Sequence, residues 1–145
     1  MRIRSILIQT GQTPDKTLKL TTEKSVRAAA ALLGDKGVGF ASVVDPDGSL
    51  VGVVSERDIV RLIGEGGDLE RPVRDIMTPD PVTVAETDEV ETAIERMSAH
   101  HCRHLPVLNG RSLVGVVSVR DIIAHLQNTA SDQERALIFA KMAIA

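Results

Sequence analysis

Ser55, Arg57 and Asp58 stand together where one apolar run ends and another begins, and Ser118, Arg120 and Asp121 repeat the arrangement 63 residues later. A hydroxyl, a guanidinium and a carboxylate at one helix start suit a phosphorylated sugar. The helix N-terminus offers free N–H groups to an anion. The Arg adds a fork for phosphate oxygens. The Asp would repel a bare phosphate but accepts hydrogen bonds from a ribose diol. A second reading fits the same residues: Ser with Asp three positions on is a capping box, and the acid favours the positive end of the helix. The two readings are compatible.

The run His100-His101-Cys102-Arg103-His104 is the other chemical candidate. Its four potential metal ligands suggest zinc. On a strand, however, Cys102 and His104 share one face and His101 takes the other. Such a run closes no tetrahedral site without a distant ligand, and only His125 remains. A helix C-terminus, where His and Arg complement the dipole, is the alternative. Cys102 as a nucleophile needs a base and an oriented partner; otherwise it reads as a small core residue. No phosphate loop of the P-loop kind, H-E-x-x-H or G-x-S-x-G occurs. Asp58 and Asp121 are equivalent carboxylates rather than an acid–base pair in different environments. No catalytic residue is assigned, and an enzyme is not expected.

The elements that carry these groups come in two copies. LVGVVSERDI at 50–59 returns as LVGVVSVRDI at 113–122, with nine of ten positions identical. Repeats decide the fold, and a unit near 60 residues buries little surface alone. Val26, Ala29, Ala30 and Leu33 form a helical stripe, and Val90, Ala93, Ile94 and Met97 form the same stripe 64 residues later. Apolar runs 40–44 and 105–108 follow, then turns with Asp-Gly and Asn-Gly signals, the second one residue shorter. Leu50–Val54 and Leu113–Val117 read as buried strands, with Ile59, Leu62 and Ile63, then Ile122 and Leu126, on the helices after them. Gly52 and Gly115 inside those strands mark close approach of a ligand or another backbone.

These patterns divide the chain into an N-terminal segment (1–12), a first repeat (13–66), a second repeat (67–127) and a helical tail (128–145). Gly64-Glu-Gly-Gly67 ends the first repeat, and Thr78-Pro79 and Asp80-Pro81 impose extended backbone after it. The segment Arg2–Gln9 is too short and polar for a signal peptide or membrane span. A net charge of −3 gives no basic surface for nucleic acid or anionic membrane. Phe40 and Phe139 are the only aromatics, too few for a base-stacking platform. The single cysteine fits a reducing cytoplasm.

The doubled G-V-V-S-x-R-D block, the Arg103-His-Leu-Pro-Val107 run and Val73-Arg-Asp-Ile-Met-Thr78 resemble the tandem CBS domain pair, or Bateman module, over about residues 13–127. The resemblance implies an α/β (α+β) fold of two β-α-β-β-α repeats, related by a pseudo-twofold axis and packed through their sheets. It implies two clefts between the repeats for an adenosine ligand: AMP, ADP, ATP, NAD(H) or S-adenosylmethionine. Phosphate would fall to Ser55 and Ser118, with Arg57 and Arg120 beside them. Ribose would fall to Asp58 and Asp121, and further phosphate contacts to Arg103 and His104. Adenine would rest against Thr78, Val82 and Cys102 in one cleft and Leu18, Val38 and Gly39 in the other. Phe40 replaces the cationic position of the second copy, so the cleft with Asp121 is expected to be the better phosphate site. The family further implies a homodimer and a regulatory output to a partner protein. A ligand-free adaptor is the alternative.

Overall fold

The computed structural model describes residues 1–129 and 131–143; Ala130, Ile144 and Ala145, all within the tail read as helical, lie outside the described residues. In chain order the elements are α1 (Ile3–Gln9), β1 (Lys19–Thr21), α2 (Val26–Lys36), β2 (Phe40–Val44), β3 (Leu50–Ser55), α3 (Glu56–Gly64), β4 (Thr78–Pro79), β5 (Val84–Ala85), α4 (Val90–His100), β6 (His104–Asn109), β7 (Ser112–Ser118), α5 (Val119–Thr129) and α6 (Asp132–Ala143). Two compact units result: Leu18–Pro81, and Met1–Thr17 together with Val82–Ala145.

In the unit Leu18–Pro81 the sheet order is β1-β2-β3-β4. The short leading strand β1 lies parallel to β2, the arrangement that an intervening helix permits. Ser25 caps α2 by accepting from Ala28 N at 3.1 Å, and Gly37 ends it in the left-handed conformation (φ 66°). Val26, Ala29 and Leu33 then meet Leu20, Val43, Val54 and Ile59 in the core. The hairpin β2–β3 turns through Gly48 at φ 89°, with Asp45 Oδ1 accepting from the N–H groups of Asp47 and Ser49.

The other unit repeats the plan, with order β5-β6-β7, a parallel first pair and an antiparallel second pair. Even the irregularity recurs: the register shifts at Val43/Val44 in one hairpin and at Val107/Leu108 in the other. Val90, Ala93, Ile94 and Met97 are all buried, as their spacing predicts.

Two segments next to the repeats supply the outer edges of the sheets. Residues 67–81, read with the second repeat, pack in the first unit, where β4 pairs with β3. The segment 1–12, read as separate, forms α1 on the second unit and buries Ile3, Ile6 and Leu7 there. Gln12 completes the edge with its carboxamide. Its Nε2 donates to Val116 O at 2.7 Å, and its Oε1 accepts from Val116 N at 2.8 Å. Val116 corresponds to Val53, whose ladder partner is Thr78.

This explains Gly52 and Gly115. A β-carbon on Gly52 would meet Met77 Sδ at 2.5 Å and Thr78 O at 2.9 Å; one on Gly115 would meet Leu7 Cδ2 at 2.8 Å and Gln12 Oε1 at 3.0 Å. The close approach that these glycines signal is made by the chain itself.

The tail helix α6 packs along α4 through fully buried Ile138, with Lys141 Nζ 3.1 Å from Glu95 Oε1. Arg135 donates to the carbonyls of Leu126 and Gln127, satisfying the open C-terminal end of α5.

Candidate functional site

Each candidate site begins where a central strand runs straight into a helix. Ser55 is the last residue of β3, and Ser118 the last of β7. Asp58 Oδ2 accepts from Ser55 N at 2.8 Å, while Ser55 Oγ accepts from Asp58 N at 3.4 Å. Asp121 Oδ2 accepts from Ser118 N at 3.0 Å, and Ser118 Oγ from Asp121 N at 3.0 Å. The capping box is therefore present at both helix starts. It occupies only one oxygen of each carboxylate. Oδ1 of Asp58 and of Asp121 accepts no hydrogen bond among the described residues, and both side chains are half-buried. Capping and ligand binding are compatible here at the level of single atoms.

Arg57 and Arg120 are exposed on the first turn and make no ion pair among the described residues. The strand across the ladder supplies the next groups. His104 is the register partner of Ser118, and Phe40 the partner of Ser55. The carbonyls just before them hold the helix starts: Val119 N donates to Arg103 O at 3.0 Å and Glu56 N to Gly39 O at 2.9 Å. The two sites thus share a backbone and differ in side chains. Burial lowers the pKa of His104 below its ordinary 6.5; the Asp121 carboxylate opposes that shift and Arg103 adds to it.

The remaining candidates separate by unit. Leu18, Val38, Gly39 and Thr78 lie with Ser55, Arg57 and Asp58; Val82, Cys102 and Arg103 lie with Ser118, Arg120 and Asp121. Leu18 and Val82 are partly buried, each packed on its own unit's core. Gly39 is filled by Glu56, whose carboxylate carbon would sit 3.0 Å from a β-carbon there. Cys102 and Arg103 also line a cavity of about 410 Å³, and Arg103 lies close enough to His104 to act on its charge. Burial pushes the Cys102 thiol above its usual value of 9.0, so it stays protonated at neutral pH. No group of three or more His, Cys, Asp and Glu residues is placed to hold a metal ion among the described residues.

The profile of the CBS domain matches residues 15–65 and again residues 73–128. The chain belongs to the CBS domain family. Its two repeats are a tandem CBS pair, and the solved structure of a CBS domain protein from Pyrobaculum aerophilum complexed with AMP is 34% identical to it, covers all of both chains and has a TM-score of 0.78. An uncharacterised Bacillus subtilis protein, YlbB, is 36% identical over 104 residues, which make up 70% of either chain. A 33.4 kDa protein from Thermofilum pendens, also uncharacterised, is 30% identical over 105 residues, and this CBS pair spans only 35% of its length. No helix among the described residues of the CBS pair is long and apolar enough to cross a membrane.

Sequence reasoning passed over Gln12, Met97, Ser98 and Met142 as partners of the site residues. Gln12 replaces a backbone strand with a side chain, which no periodicity reveals. The other three line the cavity with Cys102 and Arg103. The signal for two of them was available: aligned at the 64-residue offset, Met97 and Ser98 replace Leu33 and Gly34.

Proposed function

We propose that this CBS pair is a regulatory module that binds an adenosine nucleotide at its helix starts, with Ser118, Asp121 and His104 forming the stronger site. The observation that carries the reading is the spare carboxylate oxygen. Each capping box leaves Oδ1 of its Asp without a hydrogen bond among the described residues, beside exposed guanidinium groups. A ribose hydroxyl donates to that oxygen without disturbing the cap. Phosphate then lies toward the helix N-terminus and Arg120, where positive potential is concentrated. The similarity to a CBS domain protein complexed with AMP supports the same ligand class.

The output is conformational linkage. A nucleotide shifts the module only by its difference in affinity between two states, and the regulated target is another protein. Exposed apolar residues on α3, Val60 at 67% and Ile63 at 57%, support contact with a second copy or a target. Calorimetric titration with AMP, ADP, ATP, NAD, NADH and S-adenosylmethionine tests the reading. Saturable binding of at least one is expected. No heat with any of them favours the ligand-free adaptor.

A further inference from the structure

The cavity of about 410 Å³ in the second unit is lined by α4, α6, the 101–103 loop and Val119 at the start of α5, and none of His104, Ser118 and Asp121 lines it. We infer that it is a second ligand site, for a small aromatic monoanion: a planar ring carrying one carboxylate or sulfonate. Its size falls in the range of small-molecule pockets. Its wall is apolar, from Ile94, Met97, Val119 and Met142. Two thioethers favour a ring, because methionine sulfur packs well at aromatic edges. The rim carries the cation. Arg103 is exposed and makes no ion pair or side-chain hydrogen bond among the described residues, so its fork is available to an anion. The Cys102 thiol beside it is neutral and does not oppose that charge.

Comparison of the two copies singles out this cavity. At the positions of Met97, Ser98, His101, Cys102 and Arg103, the first repeat has Leu33, Gly34, Gly37, Val38 and Gly39. Five residues with heteroatoms replace five with none, and α6 adds Met142. His101 also departs from the local rule. It ends α4 at φ 53°, where the first repeat uses Gly37 at φ 66°. A left-handed C-cap favours glycine, and strain retained by a residue with a β-carbon clusters at ligand sites.

The test is a fluorescence titration of the full chain with anilinonaphthalene sulfonate, an aromatic monoanion; with no Trp or Tyr, the protein adds no indole or phenol background. Saturable binding to one site per chain is expected. Ser98→Leu, which fills the cavity from a half-buried helix position, should abolish most of the signal. Arg103→Ala should weaken binding about fivefold, the scale of an exposed ion pair. His101→Gly should raise the melting temperature yet weaken the probe, a combination that a purely structural role does not give. Saturating AMP should leave the probe in place. The inference is overturned by absence of saturable binding, by Ser98→Leu and Arg103→Ala both binding like the intact chain, or by displacement of the probe with AMP. If Ser98→Leu does not fold, Arg103→Ala, on the surface, decides.

Discussion

His104 stands directly across the antiparallel ladder from Ser118, so an imidazole and a helix-capping hydroxyl share one end of the second hairpin. The first hairpin places Phe40 opposite Ser55 in the same way. The second site therefore adds a hydrogen-bonding group that gains positive charge on protonation, where the first adds a ring. His104→Ala should weaken AMP binding about two- to fivefold at neutral pH through the lost hydrogen bond, and should reduce its salt dependence only at a pH low enough to protonate the imidazole. Titrations at low and high salt check this. Phe40→Ala is expected to leave the salt dependence unchanged.

Two histidines make stability depend on pH. Burial lowers the pKa of His125, which bonds Gln9 through Nδ1, and the N-terminal ammonium adds to the effect; burial likewise lowers His104. Below 6.5 the unfolded chain therefore binds protons that the folded chain does not. Stability is full above that value and falls as pH drops from it toward the lowered folded values. Thermal melts followed by circular dichroism should show a falling midpoint between about pH 7 and about pH 5.5. Glu89, held down by hydrogen bonding to the terminal ammonium, has its folded value below 4.5 and acts only at lower pH. A midpoint that rises over the first window would contradict this assignment.

Ser42 is fully buried and its hydroxyl has no hydrogen-bond partner among the described residues. A buried hydroxyl without a partner costs about 1–3 kcal/mol. Ser42→Ala should raise stability by about 1 kcal/mol after allowance for the small void. A denaturant series with an unchanged slope and a higher midpoint is the expected result.

Gly52→Ala and Gly115→Ala should both destabilise, by roughly 1–3 kcal/mol. The first should cost more. Its new methyl meets the Thr78 backbone carbonyl, whereas the second meets the side chains of Leu7 and Gln12, which have room to shift. Equal melting midpoints for the two variants would argue against this account of the sheet edges.

Much of this architecture was legible because the two copies confirm each other. The stripe Val90, Ala93, Ile94 and Met97 is buried as its period requires, and Ser118–Asp121 caps a helix as its spacing requires. Ile63 belongs to the apolar face of α3 by its spacing, but it is 57% exposed, since Ile59 and Leu62 already cover the core side of α3. The partner of each outer edge was not legible. Nothing in the period of Ile3, Ile6 and Leu7 says that α1 packs beside β7, and a carboxamide such as Gln12 leaves no pattern when it substitutes for a strand. Ile138 anchors α6 from a helix whose apolar residues point in several directions, so its buried face emerges only from packing on α4.

The central claim is that Asp121 holds a ribose through the oxygen that its cap leaves open. Calorimetric titration of AMP and of deoxyadenosine monophosphate into the intact chain and into Asp121→Ala tests it most directly. A charged acceptor of this kind is worth more than about 1 kcal/mol, so the variant should bind AMP at least about fivefold more weakly. The deoxy ligand should show a similar loss on the intact chain and little further loss on the variant, because both changes remove the same hydrogen bond. If Asp121→Ala binds AMP as tightly as the intact chain does, and the deoxy ligand binds like AMP, then Asp121 is a helix cap and nothing more.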